Sequence, residues 1–556
     1  MDFNSLFRKK SKNVILQEGG DHEQSGLHKV LTVRDLTFFG IAAIIGGGTF
    51  SAIGNACFSG GPGVIFLYVI CAIACGFTAL CYAEFAAQVP VSGSAYTYAY
   101  VSFGELFAWI IGWALLMEYS IGNIYIAFSW SGYFTNLLDG FGLHLPEWLT
   151  INYKAAHAAF IDNKAGEGLL AWTHAPQIAG LHIIFDLPAV VVNAFITWMV
   201  YKGTKESRNL SNVMVMIKLV IILLVIIVGI AYINIDNWTP FMPNGFGGVM
   251  AGVSAVFFAY IGFDAVSTLA EESKNPQRDL PRGMIYSLVI CTIVYIILAL
   301  VLTGMVSYKL LGVSDPLAEI FKIKGIKWML FIVSIAAVVA MTSVLLVFQM
   351  GQPRIWMSMS RDGLLPKKFA AIHPKYKTPG FATIITGLVV GIPLFFTDEN
   401  FVLDFTSIGT LFAFVLVCAG VLTLPTQKGE KIIEETKGKF RLPYINSKFI
   451  MPLITIATFG LVLYFVPSFI ADKFIITSDN AANNIPMIIF FLLMIVMAVL
   501  SFIKNLSLIP VLGLMSCCYL LTGMAASNWI WFSIWLLIGL FVYFLYSRKN
   551  SKLATK

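Results

Sequence analysis

Charged residues are scarce: they make up 12% of the 556 residues, about half the share of a soluble globular protein. The chain also lacks the HExxH, GxSxG and GxxxxGK sequences that mark metalloproteases, serine hydrolases and nucleotide sites, and histidine is nearly absent from its apolar segments. We therefore predict no enzyme and no cofactor. The eight cysteines have no CxxC spacing and lie in or beside apolar segments, so we expect buried thiols rather than disulfides or metal ligands.

The first thirty residues are polar and lack an apolar stretch followed by a small-residue cleavage site, so we expect no cleaved signal peptide. The formal net charge of +7 arises from 37 Lys and Arg against 30 Asp and Glu, and it does not imply a nucleic acid partner.

What the chain has in excess is apolar sequence, since 58% of its residues are hydrophobic. Runs of about 18 or more apolar residues predict membrane-spanning helices. Such runs occur at residues 36–58, 64–88, 104–134, 186–201, 209–233, 247–271, 283–306, 327–356, 378–396, 401–424, 450–470, 485–503, 507–525 and 529–547. The predicted fold is therefore an all-α polytopic membrane protein of about 14 helices.

The distribution of Lys and Arg predicts the orientation. An even number of spans puts both termini on one side, and about 29 of the 37 basic residues fall in the loops and tails of that side. Because such loops face the cytoplasm, we expect a multi-pass protein of the cell membrane with both termini cytoplasmic. The short basic runs in the tails are explained by attraction to anionic membrane lipid.

This topology divides the chain into five parts: a cytoplasmic tail (1–35), a core (36–424), a cytoplasmic loop (425–449), four additional helices (450–547) and a second tail (548–556). Within the core, residues 136–185 form an exterior loop that carries four of the seven histidines. No HxH or HxxxH pair occurs there, so we predict no metal site and assign this loop no function.

The first span is interrupted by Gly46, Gly47 and Gly48. Each glycine costs about 1 kcal/mol relative to alanine in a helix, so the run favours local unwinding. The free amides that begin the second half of a broken helix can hold a carboxylate. Glycine also serves as a small-residue face for close helix packing, and the run alone leaves both interpretations open.

The sixth span contains a second interruption at Gly262, followed by the acidic Asp264. A charged side chain near the bilayer centre costs about 2.5–3.5 kcal/mol on insertion scales, so it normally faces a cavity or a partner. Spans one and six occupy equivalent places in two consecutive sets of five helices. Paired interruptions of this kind indicate a transporter built from inverted repeats, with its site near the bilayer midplane.

Two further charged residues lie deep in apolar segments. The side chain of Lys218 in the fifth span either reaches the lipid headgroups or binds carbonyls or a carboxylate in the bundle interior. In the interior, the lysine could exchange a proton, and its ammonium could occupy a cation site in place of sodium. Glu118 in the third span is a charge partner, a proton relay or a carboxyl satisfied by neighbouring helices. Glu84, Glu271 and Glu272 lie near span ends, where a solvated or gate-forming role at the cytoplasmic rim is favoured over chemistry at the site.

Together these residues resemble the amino acid, polyamine and organocation transporter superfamily, and within it the cationic amino acid transporter family with its bacterial relatives. The motifs that carry the resemblance are IIGGGTF in span one, GWALLMEY in span three, FFAYIGFDAVSTLAEESKNPQRDLPRGM in span six, GQPRIWMSMSRDGLLP at the exit of span eight and SIGTLFAF in span ten. The resemblance implies a LeuT-type fold of two inverted five-helix repeats, 36–233 and 247–424, with additional C-terminal helices.

The resemblance also implies the site. Amides of the glycine run would hold the substrate carboxylate, carbonyls of the sixth span would meet its amino group, and Phe263 would act as an aromatic lid. The implied substrate-binding residues are Ile45, Gly46, Gly47, Gly48, Phe258, Ala259, Ile261, Phe263 and Met341. Lys218, bridging spans one and eight in place of sodium, and Glu118 are the implied ion and proton coupling residues. Gly47 departs from the family, which usually has threonine there, so a hydroxyl is missing from the carboxylate site.

We therefore predict a secondary active transporter that takes up L-amino acids with protons and without sodium, by alternating access. Neutral amino acids are favoured because Met341 and Thr342 narrow the side-chain pocket. The alternatives are an exchanger, a cationic amino acid or polyamine transporter and, more remotely, a membrane amino acid sensor. Expected partners are an amino acid, protons and membrane lipid. We expect a monomer or weak oligomer, and the sequence leaves a small single-span subunit open.

Overall fold

The computed structural model describes residues 6–10, 29–162, 167–178, 180–313, 315–397, 399–423, 440–465, 481–524 and 526–554. Its helices are α1 (Val33–Ile44), α2 (Ile53–Gly60), α3 (Val64–Gln88), α4 (Ala95–Ser102), α5 (Glu105–Gly140), α6 (Tyr153–Ile161), α7 (Glu167–His174), α8 (Leu187–Lys202), α9 (Thr204–Ile230), α10 (Gly245–Ala251), α11 (Val253–Tyr260), α12 (Pro276–Met305), α13 (Pro316–Ile323), α14 (Lys327–Arg361), α15 (Gly380–Gly391), α16 (Glu399–Val421), α17 (Ile450–Phe465), α18 (Ala481–Lys504), α19 (Leu508–Leu521), α20 (Ala526–Val542) and α21 (Arg548–Asn550). Most of the predicted loop 425–449 and of the tail 1–35 lies outside the described residues.

Many of these helices are long and apolar enough to cross a membrane. In the described part, seven stretches pass this test: Gly48–Gln88, Glu105–Gly140, Asn209–Ile230, Pro276–Met305, Lys327–Arg361, Asn484–Lys504 and Ser527–Asn550. An eighth is a bent pair, Gly245–Ala251 and Ala255–Glu272, with an angle of 48°. Shorter apolar helices are Leu187–Lys202, Gly380–Phe395, Thr406–Val421, Ile450–Tyr464 and Leu508–Leu521. The prediction of a helical multi-pass membrane protein is confirmed.

The long helices pack side by side. Helix α5 packs along α14 and α16, and α12 packs along α1 and α3. The helices near the C-terminus complete the bundle, because α19 packs on α16 and α3 while α20 packs on α16 and α5.

The first span is broken where the sequence predicts it. Helix α1 ends at Ile44 because Ile45 has an extended backbone (φ −82°, ψ 98°), and a π-helical segment over Gly48–Ala52 leads into α2. The side chains around this break are buried, so its backbone is shielded from lipid, as an interruption inside a membrane requires.

The second break separates α11 from a 3-10 segment over Phe263–Glu272. Ile261 is extended (φ −61°, ψ 137°) and Gly262 has φ +120°, a conformation that L side chains rarely adopt. A Cβ at Gly262 would also lie 2.6 Å from that of Ala43 in α1, so the sequence needs glycine here for both reasons. Both predicted interruptions are confirmed.

The exterior loop predicted over 136–185 contains regular structure. Helices α6 and α7 are followed by an antiparallel pair of two-residue strands, β1 (Gln177–Ile178) and β2 (Leu181–His182). The ring of Trp172 lies 4.2 Å from that of His182 and 4.8 Å from that of His157, measured between centroids. Two of the four histidines in this loop therefore pack against one tryptophan.

Both tails reach the same end of the bundle, which we call the tail end. Lys10 forms an ion pair with Asp362, which follows α14. From the C-terminus, Ser551 donates a hydrogen bond to Glu105 (2.5 Å), and the Lys552 amide donates to the Asp362 carbonyl (3.0 Å). The described parts of the two tails therefore bind the same region of the tail end, at Asp362 and Glu105.

Candidate substrate and coupling site

Two glycines of the first break allow close helix packing. A Cβ at Gly48 would lie 2.4 Å from Ala259 Cα in α11, and a Cβ at Gly46 would lie 2.4 Å from the side chain of Val344 in α14. The neighbour of Gly48 is backbone, which cannot rotate away, so a residue with a side chain would force the two broken helices apart. Both interpretations of the run therefore apply, because the chain is unwound here and also tightly packed.

Gly47 faces side chains of the interior. A Cβ there would lie 3.0 Å from Ile126 Cδ1, 3.1 Å from Tyr125 Cε1 and 3.8 Å from Phe258 Cε1. The rings of Tyr125 and Phe258 meet edge to face, with centroids 5.2 Å apart. This surrounding of one isoleucine and two aromatic rings suits an apolar group.

The aromatic side chain beside the glycine run is Phe258, whereas Phe263 was expected to act as the lid. Phe263 is fully buried in the 3-10 segment, where its ring packs against Tyr82 of α3 and Phe414 of α16 at 6.0 and 5.1 Å. The positive φ of Gly262 turns the chain between these two phenylalanines, which explains why they belong to different contacts.

A tyrosine of α12 joins the two breaks. The Tyr295 hydroxyl lies 2.9 Å from the carbonyl oxygens of both Ile44 and Ala259, and it accepts a hydrogen bond from Thr49 at 3.1 Å. Because Ile44 precedes the first break and Ala259 precedes the second, one hydroxyl fixes both. The Ala259 carbonyl, expected to face a substrate, thus already has one partner, and the Phe258 carbonyl accepts the Ile261 amide at 3.2 Å.

The structure places Lys218 of α9 against the first break. Its side chain is fully buried, and the ammonium donates to the carbonyls of Ala42 (3.1 Å) and Ile45 (2.7 Å) and to the hydroxyl of Ser343 (2.9 Å). Ser343 belongs to α14, the helix of the predicted eighth span. The lysine therefore links three helices through oxygen atoms, in the way that a bound cation would.

Met341 is fully buried in α14, three residues before the Val344 side chain that meets Gly46. The neighbouring Thr342 turns towards α5, where the Trp130 indole donates a 2.8 Å hydrogen bond to its hydroxyl. Thr342 also donates to a carbonyl of its own helix, so its hydroxyl both accepts and donates a hydrogen bond.

Glu118 lies on α5 and is 2% exposed. A Cβ at Gly409 of α16 would lie 3.6 Å from that of Glu118, which puts the acid at the contact of these two helices. The Oε2 atom has no hydrogen-bond partner. Glu118 and Lys218, predicted together as coupling residues, thus occupy separate environments, since the lysine is satisfied by three other residues.

Ion pairs connect the 3-10 segment to α14 at the tail end. Arg354 donates to Glu272 at 2.6 Å, and Arg361 donates to Glu271 at 2.8 Å. Glu272 is fully buried, so its pairing fixes the end of this segment. The sequence left a solvated or a gate-forming role open for these two acids; both are buried and paired, so they are not solvated, and the gate role stays a prediction.

The sequence did not point to Tyr125, Ile126, Tyr295, Ser343 or Val344. All five lie in apolar helices, where such residues most often fill the core. A tyrosine inside the otherwise apolar α12 was the one available signal, because a buried hydroxyl usually finds a hydrogen-bond partner.

Comparison with known proteins finds related proteins along almost the entire chain. Residues 31–500 match the family described as amino acid permease, and residues 505–551 match the C-terminus of such permeases. The branched-chain amino acid permease BcaP of Bacillus subtilis is 37% identical over 551 residues, which is 99% of each chain.

Two other relatives cover a similar length. The methylthioribose transporter of Bacillus subtilis is also 37% identical over 99% of each chain. The vacuolar cationic amino acid transporter 2 of Arabidopsis thaliana is 30% identical over 99% of this chain and 93% of its own. The chain therefore belongs to the amino acid permease family, in the amino acid, polyamine and organocation superfamily and of the cationic amino acid transporter type, and is a transporter rather than an enzyme.

Proposed function

We propose that the protein is a secondary active transporter that takes up neutral L-amino acids together with protons and without sodium. The observation that carries this proposal is the meeting of the two broken helices at Gly48 and Ala259, with Tyr295 bonded to both breaks. Unwound backbone is tolerated within a membrane where it is buried or lines a cavity, and paired breaks indicate a midplane substrate site.

The proposed architecture is the LeuT-type pair of inverted repeats, 36–233 and 247–424, within about 14 spans. It is supported by described helices at each of the predicted spans and by breaks in the first and sixth of them. Both termini would face the cytoplasm of the cell membrane, which the excess of Lys and Arg in the connecting loops supports. The tail end is then the cytoplasmic end.

The backbone of the breaks would bind the amino and carboxyl groups shared by all L-amino acids. Amides of Gly46, Gly47 and Gly48, after Ile45, would hold the carboxylate. Carbonyls of the second break would receive the ammonium; they belong to Phe258, Ala259 and Ile261. In this proposal Phe263 and Met341 are buried residues that would pack behind the residues lining the substrate site.

A neutral, apolar substrate side chain is supported by the surroundings of Gly47, which are Tyr125, Ile126 and Phe258. The relationship to a branched-chain amino acid permease supports the same class. A methylthioribose transporter is equally similar, so overall identity does not determine the substrate. A cationic amino acid is the alternative, because Glu118 and Asp264 are buried acids.

Proton coupling is proposed for Lys218. An ammonium held by two carbonyls and a hydroxyl occupies a position suited to a metal cation, so sodium would not be required. Loss of its proton would weaken the link between α9, α1 and α14, and alternating access would follow from the released movement of α1. An exchanger would use the same site without net proton flux.

The experiment that tests the function begins with the detergent-purified protein and the twenty amino acids, with methylthioribose and polyamines included. A ligand at 100 times its Kd raises the free energy of unfolding by about 2.7 kcal/mol, which a thermal-shift measurement detects. We expect stabilisation by a few neutral L-amino acids. Proteoliposomes with an inward proton gradient should then accumulate them in sodium-free buffer.

Different results would contradict separate parts of the proposal. Accumulation that requires sodium would reject the coupling ion. Stabilisation by arginine and lysine alone would replace the neutral substrate with a cationic one. Substrate binding without uptake or exchange in proteoliposomes would favour a sensor.

A further inference from the structure

An apolar groove of about 510 Å³ lies between α8 and α15. Among the side chains that line it, Trp198, Leu388 and Ile392 are each more than half exposed, so the groove faces outward from the bundle, where a membrane supplies lipid. Along α8 the groove extends from Val190 to Tyr201, which is about 16 Å of helix. The hydrocarbon core of a bilayer is about 30 Å thick, so the groove has the depth of roughly one leaflet.

The floor of the groove is a tight crossing of the two helices. A Cβ at Gly387 would lie 2.5 Å from Thr197 Oγ1, and the Asn193 side chain donates a 2.9 Å hydrogen bond to the Gly387 carbonyl. Thr197 donates to the Asn193 carbonyl at 2.7 Å and accepts a hydrogen bond from Gln349 of α14 at 2.8 Å. Because these polar side chains already have partners, the groove suits an apolar chain rather than a polar ligand.

The end of α8 is attached to the loop that follows α14, which puts the mouth of the groove at the tail end. The Thr378 hydroxyl donates to the Tyr201 carbonyl at 2.9 Å. The centroid of the Tyr201 ring lies 5.4 Å from that of His373 and 5.8 Å from that of Tyr376. Tyrosine and tryptophan are enriched where hydrocarbon meets headgroups, so these rings indicate the headgroup level.

Two lysines present positive charge at this mouth. The Lys202 ammonium lies 4.5 Å from the centroid of the Trp198 ring, and the Lys375 ammonium lies 5.5 Å from that of the Tyr376 ring. Both lysines are exposed, and in the described part of the chain neither forms an ion pair with a carboxylate. Cations above an apolar groove match the negative headgroup and the hydrocarbon chain of an anionic lipid.

A second apolar groove lacks this charge. It has a volume of about 440 Å³ and lies between α18, α19 and α20, where Phe490, Cys518 and Trp529 contribute to its walls. None of the described residues that line it is basic. A hydrocarbon chain suits either groove, so selectivity for the headgroup distinguishes the first from the second.

We propose that the groove between α8 and α15 binds a phospholipid with an anionic headgroup, taken from the leaflet at the tail end. One acyl chain lies over the helix crossing at Gly387, and the headgroup binds Lys202 and Lys375. The bound lipid holds α8 against α15 and, through the hydrogen bond between Thr197 and Gln349, supports the contact with α14. The site is independent of the substrate and of the coupling ion; only its assignment to the cytoplasmic leaflet rests on the proposed orientation.

Native mass spectrometry of the detergent-purified protein tests the headgroup contact. The measurement compares the Kd of phosphatidylglycerol with that of phosphatidylcholine carrying the same acyl chains. We expect the wild type to prefer phosphatidylglycerol, and the Lys202→Gln, Lys375→Gln double variant to bind it roughly tenfold more weakly, because each lysine near the headgroups contributes about 1 kcal/mol. The control, Lys448→Gln with Lys504→Gln, removes the same charge beside α17 and α18 and should keep the preference, since neither lysine lines the groove.

Two further variants test the acyl chain. Ala194→Trp fills the groove from α8, whereas Ile489→Trp fills the second groove from α18. We expect Ala194→Trp to weaken binding of phosphatidylglycerol and Ile489→Trp to leave the preference for this lipid intact. An unchanged preference in Ala194→Trp would overturn the assignment of the chain to this groove.

Other outcomes would overturn the remaining parts. Equal affinity of the wild type for the two lipids, or an equal loss in both double lysine variants, would reject the headgroup site. These lysines are exposed or half-buried, so their variants keep the test decisive if Ala194→Trp does not fold. If Ala194→Trp converted a lipid-free dimer into a monomer, the groove would hold a second copy of the chain and not a lipid.

Discussion

The backbones of Gly48 and Ala259 are in contact: a Cβ built on Gly48 would lie 2.4 Å from Ala259 Cα and 2.8 Å from its Cβ. Gly48 begins the π-helical segment of the first break, and Ala259 lies in the last turn before the second. A shift of either break has to be accommodated by the other. The two interrupted helices are therefore mechanically joined at the place where the proposed substrate binds.

This contact predicts different effects for two neighbouring substitutions. Gly48→Ala would push a methyl group into backbone, and overpacking of this kind costs about 1–3 kcal/mol. Gly47→Ala would meet the ends of the Ile126 and Tyr125 side chains, which can yield by a few tenths of an ångström. We expect Gly48→Ala to lower the melting temperature more, and Gly47→Ala to remain folded with weaker substrate binding.

Melting temperatures with and without the substrate identified in the thermal-shift screen check this pair. Equal destabilisation by both variants would show that the contact between the breaks carries no special weight. Wild-type substrate affinity in Gly47→Ala would remove the surroundings of this residue from the substrate site.

Tyr295→Phe should loosen both breaks. The substitution removes one hydroxyl and leaves the carbonyls of Ile44 and Ala259 and the hydroxyl of Thr49 without this partner. Leaving buried polar groups unsatisfied costs about 1–3 kcal/mol, so we expect a lower melting temperature and reduced uptake.

Tyr260→Phe is the matched control, because Tyr260 is equally buried and donates a single bond to a carbonyl of α3 at 3.0 Å. Hydrogen exchange of the segments around both breaks should increase in Tyr295→Phe and much less in the control. Similar exchange in the two variants would mean that Tyr295 stabilises the helix bundle in general and not the breaks.

Lys218→Ala should separate folding from coupling. The ammonium and its positive charge are removed together, so no buried charge is left without a partner, and the protein should remain folded. We expect proton-driven accumulation of substrate to be lost. Ser343→Ala removes one of the three ammonium contacts and should reduce uptake less. Uptake by Lys218→Ala with an unchanged dependence on pH would remove the lysine from the mechanism.

Much of this arrangement could be predicted from the sequence, because its signals are local. Runs of apolar residues locate the helices, and the glycines at 46–48 and 262 locate the breaks. The two spans that Lys218 joins followed from resemblance to a family, and the structure brings the lysine to α1 and α14 as that resemblance implies.

The remaining features depend on the rotation of helices about their axes and on backbone dihedral angles, which cannot be read from the sequence. Phe258 and Phe263 are equally aromatic and lie on opposite sides of Gly262 in the sequence, and only the turn at that glycine decides which one lies beside the glycine run. Tyr295 acts through a hydroxyl that could have faced any side of α12. The regular structure in the loop over 136–185 arises from packing around Trp172, for which the mixed composition gave no signal.

Asp362→Asn should release the described N-terminal residues from the tail end. The substitution removes the negative partner of Lys10 and weakens the 2.7 Å hydrogen bond from Tyr96. Both side chains of the ion pair are at most 10% exposed, and removing one partner of a buried pair costs about 3–5 kcal/mol. We expect faster hydrogen exchange over residues 6–10 and a lower melting temperature.

Glu319→Gln is the control for this prediction, since the side chains of its ion pair with Lys322 are 28% and 67% exposed and the pair should contribute about 0–1 kcal/mol. If the two substitutions lowered the melting temperature equally, the ion pair of Lys10 would have no greater weight than one at the surface.

The stability of the short α13 region should depend on acid pH through Asp315. Partial burial, with a smaller contribution from Glu319, raises the pKa of this carboxyl from its ordinary value of 3.8. Between the ordinary and the raised pKa the folded state binds more protons than the unfolded state, so the free energy of unfolding decreases as pH rises through this interval.

Asp315→Asn removes the titration, and the variant should gain stability relative to wild type at neutral pH but not at pH values below the interval. Melting curves of both proteins across acid pH check the sign; a wild type that gains stability relative to the variant as pH rises would show that the carboxylate, and not the acid, is the favoured form in the fold.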